Sequence, residues 1–158
     1  MTEYDGGPVG WVSLALVRSG LGDTVRTFSA GVPTAAAAAE ALGCDLAAIT
    51  NSLIFDLNGE PLLILASGAA RVDTKLVAEQ LGEGRIRRAS RDFVLKHTSQ
   101  HVGGVAPVGH PEKIRTLLDK SLQMHDLLWA GAGDHNSMFS ITYKELQRIT
   151  DAKELRVR

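Results

Sequence analysis

The sequence predicts a mixed α/β fold: one domain over residues 1–158, with helices surrounding a mixed, mostly antiparallel sheet. Two observations carry this. Asn51 to Ser67 holds two apolar runs around Asn58-Gly59, the strongest short hairpin signal a sequence offers. Beyond it, capped helical segments alternate with short apolar runs, and hairpin strands with intervening helices imply a mixed sheet rather than a doubly wound one.

The elements follow in order. Pro8 to Arg18 reads equally as helix or strand. Ala35 to Ala39 is a run of strong helix formers, with a start signal at Pro33-Thr34 and a stop signal at Gly43. After the hairpin, Val72 to Leu81 reads as a helix capped by Asp73, Ile86 as a short strand, and Ser90 to His97 as a further capped helix. Ile114 to Leu118 and Leu127 to Ala130 read as buried strands joined through Asp119 to Asp126. Thr142 to Glu145 has the form of a capping box opening a long last helix.

Composition narrows the function classes. With 44% hydrophobic and 22% charged residues, the chain suits a water-soluble domain large enough to bury a core. No apolar run approaches the roughly 18 residues that span a bilayer, and the opening Met-Thr-Glu-Tyr-Asp lacks a basic leader, so a cytoplasmic setting without membrane partners is expected. The lone Cys44 excludes an internal disulfide and a thiolate metal cluster, and reads as a small core residue just past a helix. Net charge is -1, yet Arg85, Arg87, Arg88, Arg91 and Lys96 stand against Asp92 alone, a local excess of four positive charges. Such a patch either grips phosphates or forms a solvated strand edge and helix face.

Function points to His101-Val-Gly-Gly-Val-Ala-Pro-Val-Gly-His110. Gly103 and Gly104 lack a Cβ, so their amides can approach a ligand closely, and Pro107 stiffens what they form. The competing reading is a turn between buried strands. No G-x-S-x-G nucleophile elbow or evident Ser, His and Asp arrangement appears.

In order and spacing these pieces resemble the YbaK type of aminoacyl-tRNA editing domain, also found with prolyl-tRNA synthetases. The matching stretches are Thr34 to Gly43, the hairpin from Ser52, Ser67 to Asp73, Val102 to Gly109, the strand end at Asp119, and Trp129 to Gly133; together they cover roughly residues 30 to 150. The resemblance implies a cofactor-free trans-editing deacylase that hydrolyses the ester of a tRNA mischarged with a small amino acid. Its partners would be aminoacyl-tRNA and a synthetase. A synthetase pocket discriminates poorly against smaller or isosteric substrates, which is why a second, hydrolytic site is needed. Catalysis in this family rests on positioning, with a neighbouring tRNA hydroxyl helping to activate water.

The site residues implied are Gly103, Gly104, Val105 and Pro107 as a backbone cradle, with Gly131, Ala132 and Gly133 as the facing wall. Asp73 and Thr98 would support the loops, and the local positive excess, rather than the resemblance, makes Arg87 and Arg88 candidates to hold the tRNA backbone. The chain departs from the family at Asn51, where a lysine is usual. Asparagine donates hydrogen bonds but supplies no cation, so Asn51 either contacts substrate or merely caps the strand entry. His110 and His135 close the two glycine-rich turns and are the side chains placed to replace that lysine, His135 as a catalytic candidate. His97 and His101 lie four residues apart, but no HExxH glutamate accompanies them and a Gly-Gly follows, so no metal is expected. Two further readings stay open: a non-catalytic module that binds an aminoacyl end or a synthetase, and a metal-dependent hydrolase.

Overall fold

The computed structural model describes residues 7–32 and 34–158. Pro33, part of the start signal before the alanine run, and the first six residues, where a basic leader would begin, lie outside the described residues. The ambiguous N-terminal segment is a helix, α1 (Gly7–Arg18). The alanine run forms α2 (Ala35–Leu42), started by the Thr34 hydroxyl accepting the Ala37 amide and stopped by Gly43 in the left-handed conformation.

The hairpin comprises β2 (Ile49–Leu57) and β3 (Glu60–Ser67), with Asn58 and Gly59 both at positive φ as its two-residue turn requires. A two-residue β1 (Arg26–Thr27) precedes it. The sheet is completed by β4 (Ile86–Arg88), β5 (Arg115–Asp119), β6 (Leu128–Gly131), β7 (Ser137–Ile141) and β8 (Lys153–Leu155). Its order is β1-β7-β6-β2-β3-β5-β8, with β4 on β2. Four of the seven pairings are antiparallel, so the expected mixed, mostly antiparallel sheet is what forms.

Burial on both faces explains the apolar run of β3. Leu63 and Leu65 join Val12 and Leu16 of α1, Val94 of α4 (Arg91–Thr98) and Leu146 of α5 (Tyr143–Thr150). Leu62, Ile64 and Ala66 pack on the other face with Val77 of α3 (Thr74–Leu81). Strand alternation divides the two sets. A third cluster joins Ala38 and Ala39 of α2 to Val32, Ile49 and Met138, with Cys44 partly buried at its margin.

Two sequence expectations change in detail. The last helix is eight residues long, and its capping box is half-formed: Thr142 Oγ1 accepts the Glu145 amide at 3.2 Å, but the Glu145 carboxylate turns to Arg148 Nε at 2.6 Å. An arginine three residues along the helix competes with the reciprocal cap. Asp119 is buried, and its carboxylate accepts the amides of Ser67 at 3.0 Å and Ser121 at 2.9 Å, tying the end of β5 to the end of β3.

Candidate active site

The site begins as a gap in the sheet. Strand β2 pairs with β6 only at Ile49 and Thr50 and with β4 only from Phe55 to Leu57, so its outer edge is open between them. Gly68 N donates to Ile49 O at 2.7 Å, which turns the backbone groups of odd-numbered β2 residues toward β3. By alternation Ser52 and Ile54 present their N–H and C=O groups to the gap. A cavity of about 390 Å³ occupies it.

The lining divides by chemistry. Val32, Ala35, Ala38, Ile49 and Met138 form an apolar wall, and Val94, Val102, Gly103 and Val105 stand across from it. Polar groups line the edge itself: Thr50, Asn51 and Ser52, with Gly131 at one end and Arg88 at the other. The Thr50 and Ser52 hydroxyls are buried with no hydrogen-bond partner among the described residues. Buried hydroxyls ordinarily have partners, so two orphans on one cavity mark a place where a ligand or water is received.

The 101–110 loop is held from behind. Thr98 is buried; its Oγ1 accepts the Gln100 amide at 2.9 Å and lies 2.7 Å from Val94 O. Gln100 Oε1 accepts the Ala106 amide at 2.8 Å, an anchor that sequence reasoning missed because nothing local distinguishes this glutamine from a surface one. Gly103 is at φ +96° on the cavity. Gly104 does different work: its amide donates to His101 O at 2.9 Å, and a Cβ there would sit 2.7 Å from Cα and C of Asp134. Its missing side chain lets the two glycine-rich turns touch. A Cβ on Gly131 would lie 2.9 Å from Val105 O, so the same closeness recurs at that end. The Gly103 and Val105 amides donate to no backbone carbonyl among the described residues.

The remaining candidates are dispersed. Ala132 is buried, its amide donating to Ser137 O at 2.9 Å, and Gly133 approaches the Pro8 backbone at the start of α1. Pro107 is buried away from the cavity lining. Asp73 caps α3, accepting the amides of Lys75 and Leu76 at 3.1 Å, and does not line the cavity. The strand separates the paired arginines, for Arg88 lines the cavity and Arg87, opposite Asp56, does not. His135 is exposed, contributing its carbonyl to Val32 N at 2.6 Å rather than its ring to the cavity. His97 packs against Phe93 with the rings tilted at 57° and their centroids 4.5 Å apart. Among the described residues no three His, Cys, Asp or Glu side chains are grouped to hold a metal ion.

His110 lies behind the loop, beside a separate groove with Trp11 and Arg18. Its Nε2 is 2.8 Å from Ala106 O, so it carries the hydrogen and donates, and burial lowers its pKa below the ordinary 6.5. Above about pH 6.5 both folded and unfolded chains hold this ring neutral and its contribution is complete. As pH falls below that, the unfolded chain takes the proton first, and stability is lost down to the folded-state value. Melting curves from about pH 8 to about pH 5 should therefore fall more steeply for the parent than for His110→Gln, which keeps a donor for Ala106 O. Parallel curves would place no titration at this ring.

A sequence model of the aminoacyl-tRNA editing domain matches residues 29–149. The chain belongs to the aminoacyl-tRNA editing domain family. It is 33% identical over 130 residues to the uncharacterised protein YwhH of Bacillus subtilis, covering 82% of each. It is 32% identical over 117 residues to the proline–tRNA ligase of Limosilactobacillus fermentum, covering 71% of this chain but 20% of that enzyme. Among solved structures, one described as a candidate trans-editing enzyme for prolyl tRNA synthetase superposes with a TM-score of 0.90 at 32% identity, covering 96% of both chains. The editing-domain resemblance read from the sequence therefore holds, and so does the mixed α/β architecture that went with it. No helix among the described residues is long and apolar enough to cross a membrane.

Proposed function

We propose that this editing domain hydrolyses the ester of a mischarged aminoacyl-tRNA in the cavity on the open β2 edge. One observation carries the reading most: the cavity pairs an apolar wall with two buried hydroxyls, Thr50 and Ser52, that have no partner among the described residues. An aminoacyl ester offers matching parts, a side chain for the wall and an ester and amine for the edge. The wall is built from α2 alanines, Val32, Ile49 and Met138, which suits a short side chain.

Hydrolysis requires water to attack the ester carbonyl, the tetrahedral oxyanion to be stabilised, and the ribose oxygen to leave with a proton. The Gly103 and Val105 amides and the open Ser52 and Ile54 amides are the donors this chain provides for the oxyanion. Among the lining residues no nucleophile is paired with a base. Proton transfer then falls to the neighbouring ribose hydroxyl and water, as the family resemblance implies. Prolyl-tRNA synthetase relatives suggest tRNA for proline as the carrier, and the local positive excess makes Arg87 and Arg88 the grips on its backbone.

A second reading has one observation behind it. Asn51 lines the cavity where a lysine is usual, and a neutral pocket suits a module that binds without turnover. Incubation with a panel of mischarged tRNAs separates the two. Release of a small aliphatic amino acid at least tenfold above the spontaneous rate, with prolyl-tRNA left intact, supports editing. Binding without release supports the module.

A further inference from the structure

Arg88 and Asp134 are the two ionisable side chains among the described residues that line the cavity, and they carry opposite charges. They sit at different points of its rim: Asp134 belongs to the turn after β6 and meets Gly104 of the facing loop, while Arg88 is on β4, opposite Phe55. Among the described residues neither charge is paired: Arg88 takes part in no ion pair there, and Asp134 uses Oδ1 to accept the Asn136 amide at 2.8 Å, with no donor among them for Oδ2. The lining between them is neutral.

A ligand that fits such a cavity itself carries one positive and one negative group. The aminoacyl end of a tRNA has this form, with an α-ammonium at its tip and the phosphodiester of the terminal nucleotide at its base. We propose that Asp134 and Arg88 fix the direction in which the aminoacyl-adenosine lies along the β2 edge, the Asp134 carboxylate receiving the α-ammonium and the Arg88 guanidinium the terminal phosphate. This rests on the deacylase reading above and extends it. The orientation brings the amino-acid side chain toward the α2 wall and the ester over the open Ser52 and Ile54 backbone. Both are binding and positioning residues; neither transfers a proton.

The test pairs each side chain with the substrate group it is said to hold, so that general damage to the fold cancels. Deacylation is measured on alanyl-tRNA with a free or an acetylated amine, and on 2′(3′)-O-alanyl adenosine with or without a 5′-phosphate. For the parent, acetylation and loss of the phosphate should each slow the reaction by about tenfold or more, as charged hydrogen bonds in a partly desolvated site do. Asp134→Asn keeps the Oδ1 acceptor for Asn136 and should become indifferent to acetylation while keeping its preference for the phosphate. Arg88→Gln should show the converse, and Arg88→Lys should restore part of the phosphate preference. Variants that retain the parent's preferences overturn the assignment even where their rates fall. Absence of turnover in the parent speaks against the deacylase reading instead, and the same substrate pairs, as non-hydrolysable amides read by binding affinity, then decide the charge assignment separately.

Discussion

Gly104→Val should abolish most of the deacylase activity and lower the melting temperature at the same time. The Cβ position at Gly104 is 2.7 Å from two backbone atoms of Asp134, a distance no side chain tolerates, and backbone cannot swing aside as a flexible side chain can. A branched side chain must push the 101–110 loop away from the 131–136 turn. Overpacking of this kind costs about 1–3 kcal/mol, and a domain of this length loses about 2–4 °C per kcal/mol. The loss of activity should be the larger effect. Gly103 and Val105 on one side of the contact and Asp134 on the other all line the cavity, and a displacement of about 1 Å costs on the order of 100-fold in rate. Single-turnover rates and thermal melts on the same preparation check both parts. A variant with parental rate would show that the contact between the turns does not shape the site.

Asn51→Lys is expected to act in the opposite direction. Asn51 lines the cavity on the open edge, and a lysine there puts a cation beside the reacting ester or the phosphate. A charged hydrogen bond in such a place is worth about 1.5–3 kcal/mol, or roughly a tenfold to hundredfold rise in rate. The histidines do not pre-empt that role, since His110 donates to Ala106 O behind the loop and His135 is exposed outside the lining. Asn51→Ala should lower the rate if the amide contacts substrate, and His135→Ala should leave it near parental. A fall with Asn51→Lys and a severe loss with His135→Ala would mean that the pocket is organised around the neutral amide, with His135 reaching it when substrate is bound.

How far these sites could be read in advance follows from where each signal lies. The hairpin at Asn58-Gly59 and the caps at Asp73, Ser90 and Thr142 were legible because turn and cap chemistry is local, set by one side chain and the next three amides. Strands β1, β7 and β8 were not. Ser137–Ile141 neither alternates nor runs continuously apolar, and a two-residue β1 has no pattern of its own; each exists because a neighbouring edge offers partners.

The site divides the same way. Gly103, Val105, Gly131 and Asn51 were nameable from the glycine-rich runs and the departure from the family pattern, and they share one cavity. Thr50, Ser52 and Asp134 were not, because their importance depends on an unpaired strand edge that only the topology reveals. The difference between Arg87 and Arg88 is likewise a matter of which side of β4 each occupies.

On the proposed reading this chain breaks the aminoacyl ester, and does so at the β2 edge. Enzyme in excess over tRNA for proline carrying radiolabelled alanine, followed in a single turnover with the parent and with Gly104→Val, tests it most directly. The expected result is release well above the spontaneous rate by the parent and a loss of about 100-fold in the variant. Retention of the label by the parent, with the tRNA bound, would contradict catalysis, and equal release by both proteins would contradict the site.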